Sequence, residues 1–204
     1  MSETARILLA RHGRTRWNAE DRRQGRSDIP LDEVGLAQAE ALRDLVAGER
    51  IDRIYASPLR RAMDTAGVVA RPLGLDVHSD PDLLEFDYGD FSGSIRSEVT
   101  LKLRRDYLRT PVPGGESLAD VWVRARRFAD RIRPSLADAH LLVVGHQRLN
   151  RLLVGVLEGR TLDETAAADD YRPATGSVLA LALELSRGAP RVVGRRILAN
   201  RLLE

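Results

Sequence analysis

The octet Leu8-Leu9-Ala10-Arg11-His12-Gly13-Arg14-Thr15 restricts the fold more than any other stretch. Residues 5–10, apolar from Ile7 onward, read as a short buried strand. A cation, an imidazole and a glycine then stand where that strand ends. The rest of the chain alternates in the same way. Residues 31–46 carry Val34, Ala37, Ala41 and Leu45 at helical spacing, behind a Pro30 that helps start a helix. Residues 51–56 read as a second strand, and residues 75–78 as a third, short one. Between them, Ser57 and Pro58 read as cap and first residue of a helix to about residue 70.

Residues 116–133 place Leu118, Val121, Trp122, Ala125, Phe128, Ala129 and Ile132 on one helical stripe. Ser117 with Asp120 forms a capping-box pattern at its start, and Pro134 marks its end. Residues 141–145 form the next apolar strand and 148–156 a helix directly behind it. Two late strands follow at 177–185 and 191–197, joined by a turn at 186–190. Strands alternating with helices predict an α/β fold with helices covering a sheet. We expect a single domain over residues 1–204, with an inserted cap at about 86–115 closed by Pro111, Pro113, Gly114 and Gly115.

Composition narrows the function. The hydrophobic fraction of 43% and charged fraction of 30% fit a soluble globular protein. No apolar run is long enough to span a bilayer, and the N-terminus lacks a secretory pattern, so a cytoplasmic location and no membrane partner are expected. The absence of cysteine is compatible with that location. Lys102 is the sole lysine, so arginine carries nearly all the positive charge. Arg22-Arg23 and Arg195-Arg196 read as solvated surface, and His78 and His140 as structural or surface residues. Nucleic-acid binding would want aromatics among the basic residues, and aromatics make up only 4% of the chain.

Chemistry-bearing residues fall just past the strand ends, where ligands sit in open α/β sheets. Arg11 and His12 follow the first strand, residues 57–61 the second, and His146 the 141–145 strand. Were these strands parallel neighbours, two histidines and two arginines would meet in one pocket. Two guanidinium forks suit phosphate oxygens, and a helix starting near Gln147 would add backbone N–H groups. A histidine there can accept a phosphoryl group or stabilise it as a cation. Glu85 is the favoured carboxyl group to protonate a leaving oxygen. A metal-ligand motif, a Walker loop and a dinucleotide fingerprint are all absent from the sequence. Residues 90–94 fail the Gly-x-Ser-x-Gly pattern, with Asp90 and Ser94 in place of the two glycines.

Together these residues resemble the histidine phosphatase superfamily, in its phosphoglycerate-mutase-like branch of α-ribazole phosphatases and broad-specificity phosphatases. Leu9 to Thr15 with Asn18 make the first matching block. Gln24-Gly25 with Asp28-Ile29-Pro30-Leu31 and Gly35 make the second, and Ser57 to Ala62 with Thr65-Ala66 the third. Leu84-Glu85 with Gly89 and Gly93, Pro113 to Ser117, and Val143 to His146 complete the series in order. The resemblance implies a mixed, mainly parallel sheet flanked by helices on both faces. It also implies that His12 becomes phosphohistidine, that Arg11, Arg61 and His146 hold the phosphate, and that Glu85 moves the proton. Asn18, Gln24, Gly25 and Gln147 would bind substrate, and no metal or organic cofactor is implied. Arg14 departs from the usual Glu or Gln and adds charge near the site. Gln147 replaces a common glycine, and Pro58 a common polar residue.

By the same resemblance, the insertion between Glu85 and His146 is shorter than that of the mutases, which implies a pocket open to water. The expected activity is therefore hydrolysis of small phosphomonoesters, such as sugar phosphates, phosphoglycerate derivatives or α-ribazole phosphate. The alternatives are a cofactor-dependent phosphoglycerate mutase, a protein phosphatase and a non-catalytic regulatory protein on the same fold. Arg104, Arg105 and Arg109 in the cap are either a contact for a second acidic group or a solvated helix face. The late strands offer a dimer edge, so a monomer or homodimer is expected.

Overall fold

A computed structural model of the chain describes residues 4–98, 107–168, 170–184 and 191–198. The elements run β1 (Thr4–Arg11), α1 (Arg16–Ala19), α2 (Glu33–Val46), β2 (Arg53–Ala56), α3 (Arg60–Leu73) and β3 (Val77–Ser79). They continue with α4 (Leu118–Ile132), β4 (Leu141–Gly145), α5 (Gln147–Leu157), α6 (Leu162–Ala167), β5 (Val178–Glu184) and β6 (Arg191–Leu198). The strands form one sheet in the order β3-β2-β4-β1-β5-β6. The pairs β3–β2, β2–β4 and β4–β1 are parallel, while β1–β5 and β5–β6 are antiparallel. This is the α/β fold that the alternating pattern predicts, with the mixed, mainly parallel sheet that the resemblance implies. The register sets Arg11 beside Gly145 and Ala56 beside Val144, so β1, β2 and β4 end at one level.

Alternation along each strand divides the core into two layers. Ile7, Leu9, Leu141 and Val143 pack with Val121, Phe128, Leu149 and Leu153 of α4 and α5. Leu8, Ala10, Leu142 and Val144 face the other way, onto Leu42, Ala62 and Val69 of α2 and α3. Every residue of β4 is buried, which explains its unbroken apolar run. Among the described residues no helix is long and apolar enough to cross a membrane.

Helix boundaries differ from the sequence reading where capping chemistry competes with periodicity. Helix α2 starts at Glu33, because the Asp32 carboxylate accepts from the Gly35 N–H at 2.8 Å. Its buried face is Gly35, Gln38, Ala39, Leu42 and Val46, one step round from the expected stripe, which leaves Val34 38% exposed. Ser57-Pro58 does not cap α3. The helix starts after Leu59, and Asp28 reaches in from another loop to accept from the Arg60 N–H at 2.8 Å. That helix runs on to a left-handed Gly74 rather than stopping near residue 70. The Ser117–Asp120 box caps α4 as expected, but the chain passes Pro134 in a 3-10 turn over Arg133–Ala137. The turn at 186–190 lies outside the described residues.

Two glycines let α2 approach the loop behind β1. A Cβ on Gly35 would stand 1.9 Å from the Arg14 carbonyl oxygen, and one on Gly13 2.3 Å from that of Gly35. The loop is thereby held between α2 and α3, whose Thr65 hydroxyl accepts from the Gly13 N–H at 3.0 Å.

Candidate active site

The common level of the strand ends sets two imidazoles together. His12 leaves β1 with its N–H on the Gly145 carbonyl at 3.1 Å, and His146 follows β4 as the residue before α5. Their ring centroids are 5.1 Å apart, and both rings are buried. The Nδ1 of His12 lies 2.7 Å from the Gly13 carbonyl oxygen. A carbonyl only accepts, so Nδ1 carries the proton and Nε2 keeps its lone pair. Both ring nitrogens of His146 are buried without a hydrogen-bond partner.

Arg11 and Arg61 flank this pair. Arg11 donates Nη1 to the Pro173 carbonyl at 2.9 Å. Arg61 donates Nη1 to Ser27 and Nη2 to Gly25 at 2.7 and 2.8 Å. The Nε of each is buried and unpartnered. Burial lowers Arg11 and Arg61 to about 10, against a partial restoring effect of Glu85. Burial also pushes His12 and His146 well below the usual histidine value, and the Arg61 and Arg11 charges push the same way. Both imidazoles are therefore held in the neutral form.

Glu85 sits at the start of α5. Its carboxylate accepts from the N–H groups of Arg148 and Leu149 at 3.2 and 3.3 Å, and of Phe86 at 2.8 Å. Two of the helix N–H groups that the sequence offers to a phosphate, those of Arg148 and Leu149, thus hold the carboxylate. The segment before it is gripped by Arg124 of α4, whose Nη1 donates to the carbonyls of Asp82 and Leu84 at 3.0 and 2.9 Å. Arg124 in turn pairs with Glu116 at 3.0 Å, and Glu116 accepts from the Asp87 N–H.

Every predicted site residue except His146 lines one cleft of about 30 Å3, and His146 stands against His12. Asn18 commits its Oδ1 to the Thr15 N–H and hydroxyl, which leaves its N–H groups to offer. Larger clefts of about 530 Å3 beside Leu152 and about 480 Å3 beside Trp122 contain no histidine. Among the described residues no cluster of three or more His, Cys, Asp or Glu side chains gathers as a metal site would need.

Four lining residues escaped the sequence reading: Arg22, Arg23, Tyr88 and Arg96. Arg22 is exposed, as a solvated pair predicts, and Arg23 is half-buried; both also line the cleft, just after Asp21 turns the chain at a φ of 50°. Their position directly before Gln24-Gly25 was the available signal. Arg195 and Arg196 do lie on the surface, paired with Glu158 and Glu49. Arg14 turns to Asp32 at 2.8 Å. Arg109 pairs with Asp163, and Arg104 and Arg105 lie outside the described residues. His78 is exposed beside Tyr55, and the His140 N–H is held by Asp52.

A sequence model of the histidine phosphatase superfamily (branch 1) matches residues 7–194. The chain belongs to that superfamily. It is 33% identical over 166 residues to phosphoserine phosphatase 1 of Hydrogenobacter thermophilus, covering 78% of this chain and 79% of that one. It is 37% identical over 171 residues to a 2,3-bisphosphoglycerate-dependent phosphoglycerate mutase of a Methylobacterium, covering 77% and 82%. The solved mycobacterial glucosyl-3-phosphoglycerate phosphatase in complex with VO3 superposes with a TM-score of 0.81 at 28% identity, covering 95% and 97%. The chain spans 41% of the length of mycobacterial proteins that it matches at 42% identity, one of them described as bifunctional.

Proposed function

We propose that this protein is a metal-independent phosphomonoesterase that passes a phosphoryl group through His12. The observation that carries the reading is the Nδ1–Gly13 hydrogen bond, which leaves a neutral Nε2 as the nucleophile in a cleft walled by Arg11 and Arg61. Nε2 attacks phosphorus, and the P–N bond forms as the ester P–O bond breaks. Glu85, protonated at that step, gives its proton to the leaving oxygen. Its carboxylate then takes a proton from water, whose oxygen attacks phosphorus. The P–N bond breaks, its electron pair returns to Nε2, and inorganic phosphate leaves. Arg11, Arg61 and His146 donate to the non-bridging oxygens. Their buried, unpartnered nitrogens support this, since each lone donor costs about 1–3 kcal/mol until an acceptor arrives. Asn18, Gln24, Gly25 and Gln147 bound the cleft that receives the substrate.

Small phosphorylated metabolites are the substrates we propose. The relatives named as phosphoserine phosphatase and glucosyl-3-phosphoglycerate phosphatase support that class. Mutase activity is the second reading, because the phosphoglycerate mutase relative matches as well as the phosphatase one. Phosphate release from a panel of phosphomonoesters in EDTA, with His12→Ala alongside, tests the proposal. Release by the unmodified protein alone is expected. Release that requires an added metal, or persists in His12→Ala, would overturn it. Interconversion of 2- and 3-phosphoglycerate without net release would establish the mutase.

A further inference from the structure

The cleft of about 530 Å3 beside Leu152 shares no described lining residue with the phosphate cleft. Leu108, Leu118, Leu152, Ala166 and Tyr107 give it mainly apolar walls. A cleft of that volume, apolar with a few polar groups, suits a small organic molecule. Two cations interrupt the walls, Arg148 and Arg151, and both side chains are half-buried. They stand three residues apart on α5, so they share one face of the helix.

A guanidinium withdrawn from water ordinarily meets a carboxylate. Among the described residues neither of these does. Arg148 donates Nε to the Tyr88 hydroxyl at 2.7 Å and Nη1 to that of Tyr107 at 3.1 Å, and its Nη2 has no partner there. Its Cζ stands 4.9 Å from the centre of the Tyr107 ring, 5.1 Å from that of Phe86 and 5.4 Å from that of Tyr88. Three rings and two phenols fix the fork in place without neutralising its charge. Arg151 gives Nη2 to the carbonyls of Thr165, Ala166 and Ala168 at the end of α6, and its Nη1 has no partner among the described residues. The cleft beside Trp122 differs, since Arg133 there pairs with Asp130 at 2.9 Å and Arg160 with Glu158 at 3.1 Å.

We propose that this second cleft binds a small carboxylate with an apolar body, apart from the phosphate cleft. The carboxylate oxygens accept from Arg148 Nη2 and Arg151 Nη1, and the body lies against Leu108, Leu118 and Leu152. An anion between the two guanidinium groups also relieves their mutual repulsion on the helix face. The fork of Arg148 is already held by its rings, so little side-chain freedom is lost on binding. The proposal needs no chemistry at His12 and stands or falls apart from the phosphatase reading.

Calorimetry with 1-naphthoate tests the site, and 1-naphthamide serves as the uncharged molecule of the same shape. Charged hydrogen bonds predict that the carboxylate binds at least about tenfold more tightly than the amide. Saturating inorganic phosphate occupies the other cleft and should change that affinity by less than about threefold, because solvent screens the two anions. Arg148→Gln and Arg151→Gln should each cut the preference for the carboxylate about fivefold or more, while Arg126→Gln, beside Trp122, leaves it intact. The amide needs only the apolar walls, so its own affinity reports whether the cleft of each variant is preserved. Leu118→Asp supplies the missing carboxylate in the first turn of α4, where a negative charge suits the helix, and should abolish naphthoate binding. No binding of naphthoate, equal binding of the amide, a preference that survives both arginine variants, undiminished binding in Leu118→Asp, or displacement by phosphate overturns the site.

Discussion

Replacing Arg124 by Met probes how the fold holds Glu85. The side chain of Arg124 is 10% exposed and lies under the segment that carries that carboxylate. It donates to the carbonyls of Asp82 and Leu84, reaches that of Glu85 at 3.4 Å, and grips Glu116 through Nε and Nη2 at 3.1 and 3.0 Å. Removing one partner of a buried ion pair costs about 3–5 kcal/mol. Arg26 still reaches Glu116 at 2.6 Å, so the lower end applies, about 3 kcal/mol. At about 2–4 °C per kcal/mol for a chain of this size, Tm falls by about 6–12 °C. Urea unfolding measures the loss directly. The same change frees the Glu85 backbone, so kcat for an alkyl phosphate should fall about tenfold or more. p-Nitrophenyl phosphate, whose leaving group needs little protonation, should suffer less. Arg124→Lys keeps the charge without the fork and should fall between the two. A stability loss under about 1 kcal/mol, or equal activity losses on both esters, would refute the clamp.

Three further outcomes are expected. Glu85→Gln should slow alkyl phosphates by about 100-fold or more while sparing p-nitrophenyl phosphate in relative terms, and equal losses would remove Glu85 as proton donor. His12 and His146 have folded pKa values below the unfolded value of about 6.5, so the unfolded chain binds protons first as pH falls. Their contribution to stability is full above about pH 6.5 and declines below it, by up to about 1.4 kcal/mol per pH unit for each histidine. Urea midpoints that stay flat from pH 7.5 to 5.5 would contradict neutral burial of the pair. Gly35→Ala should cost about 2–3 kcal/mol, because its Cβ meets backbone that cannot yield, whereas Gly48→Ala has open space and should lie within about 0.5 kcal/mol of neutral. Unfolding curves that rank the two the other way would discount the close approach.

Much of the site was legible because its residues adjoin local signals. His12 stands at the end of a buried run, His146 at the end of another, and Glu85 between two leucines and a glycine-containing turn. Short-range chemistry also fixes the Ser117–Asp120 cap. Periodicity reports that a face wants burial, but not which neighbour buries it. The α2 stripe shows the difference, since the approach of the Gly13 loop selects Gly35 and Gln38 over Val34 and Ala37. Charge patterning places Arg22 at the surface, where it lies, but does not say that this surface borders the cleft, because the turn at Asp21 sets the direction of the pair.

Residue order alone determined the α/β class and placed two histidines and two arginines, Arg11 and Arg61, just past strand ends, because each is written in contiguous residues. Tertiary structure decided the rest. Inserting β4 between β1 and β2 brings His146 against His12, and two N–H groups in the first turn of α5 hold Glu85. Both depend on which distant segments become neighbours, and that is set by the sum of packing over two core layers rather than by any local run of side chains.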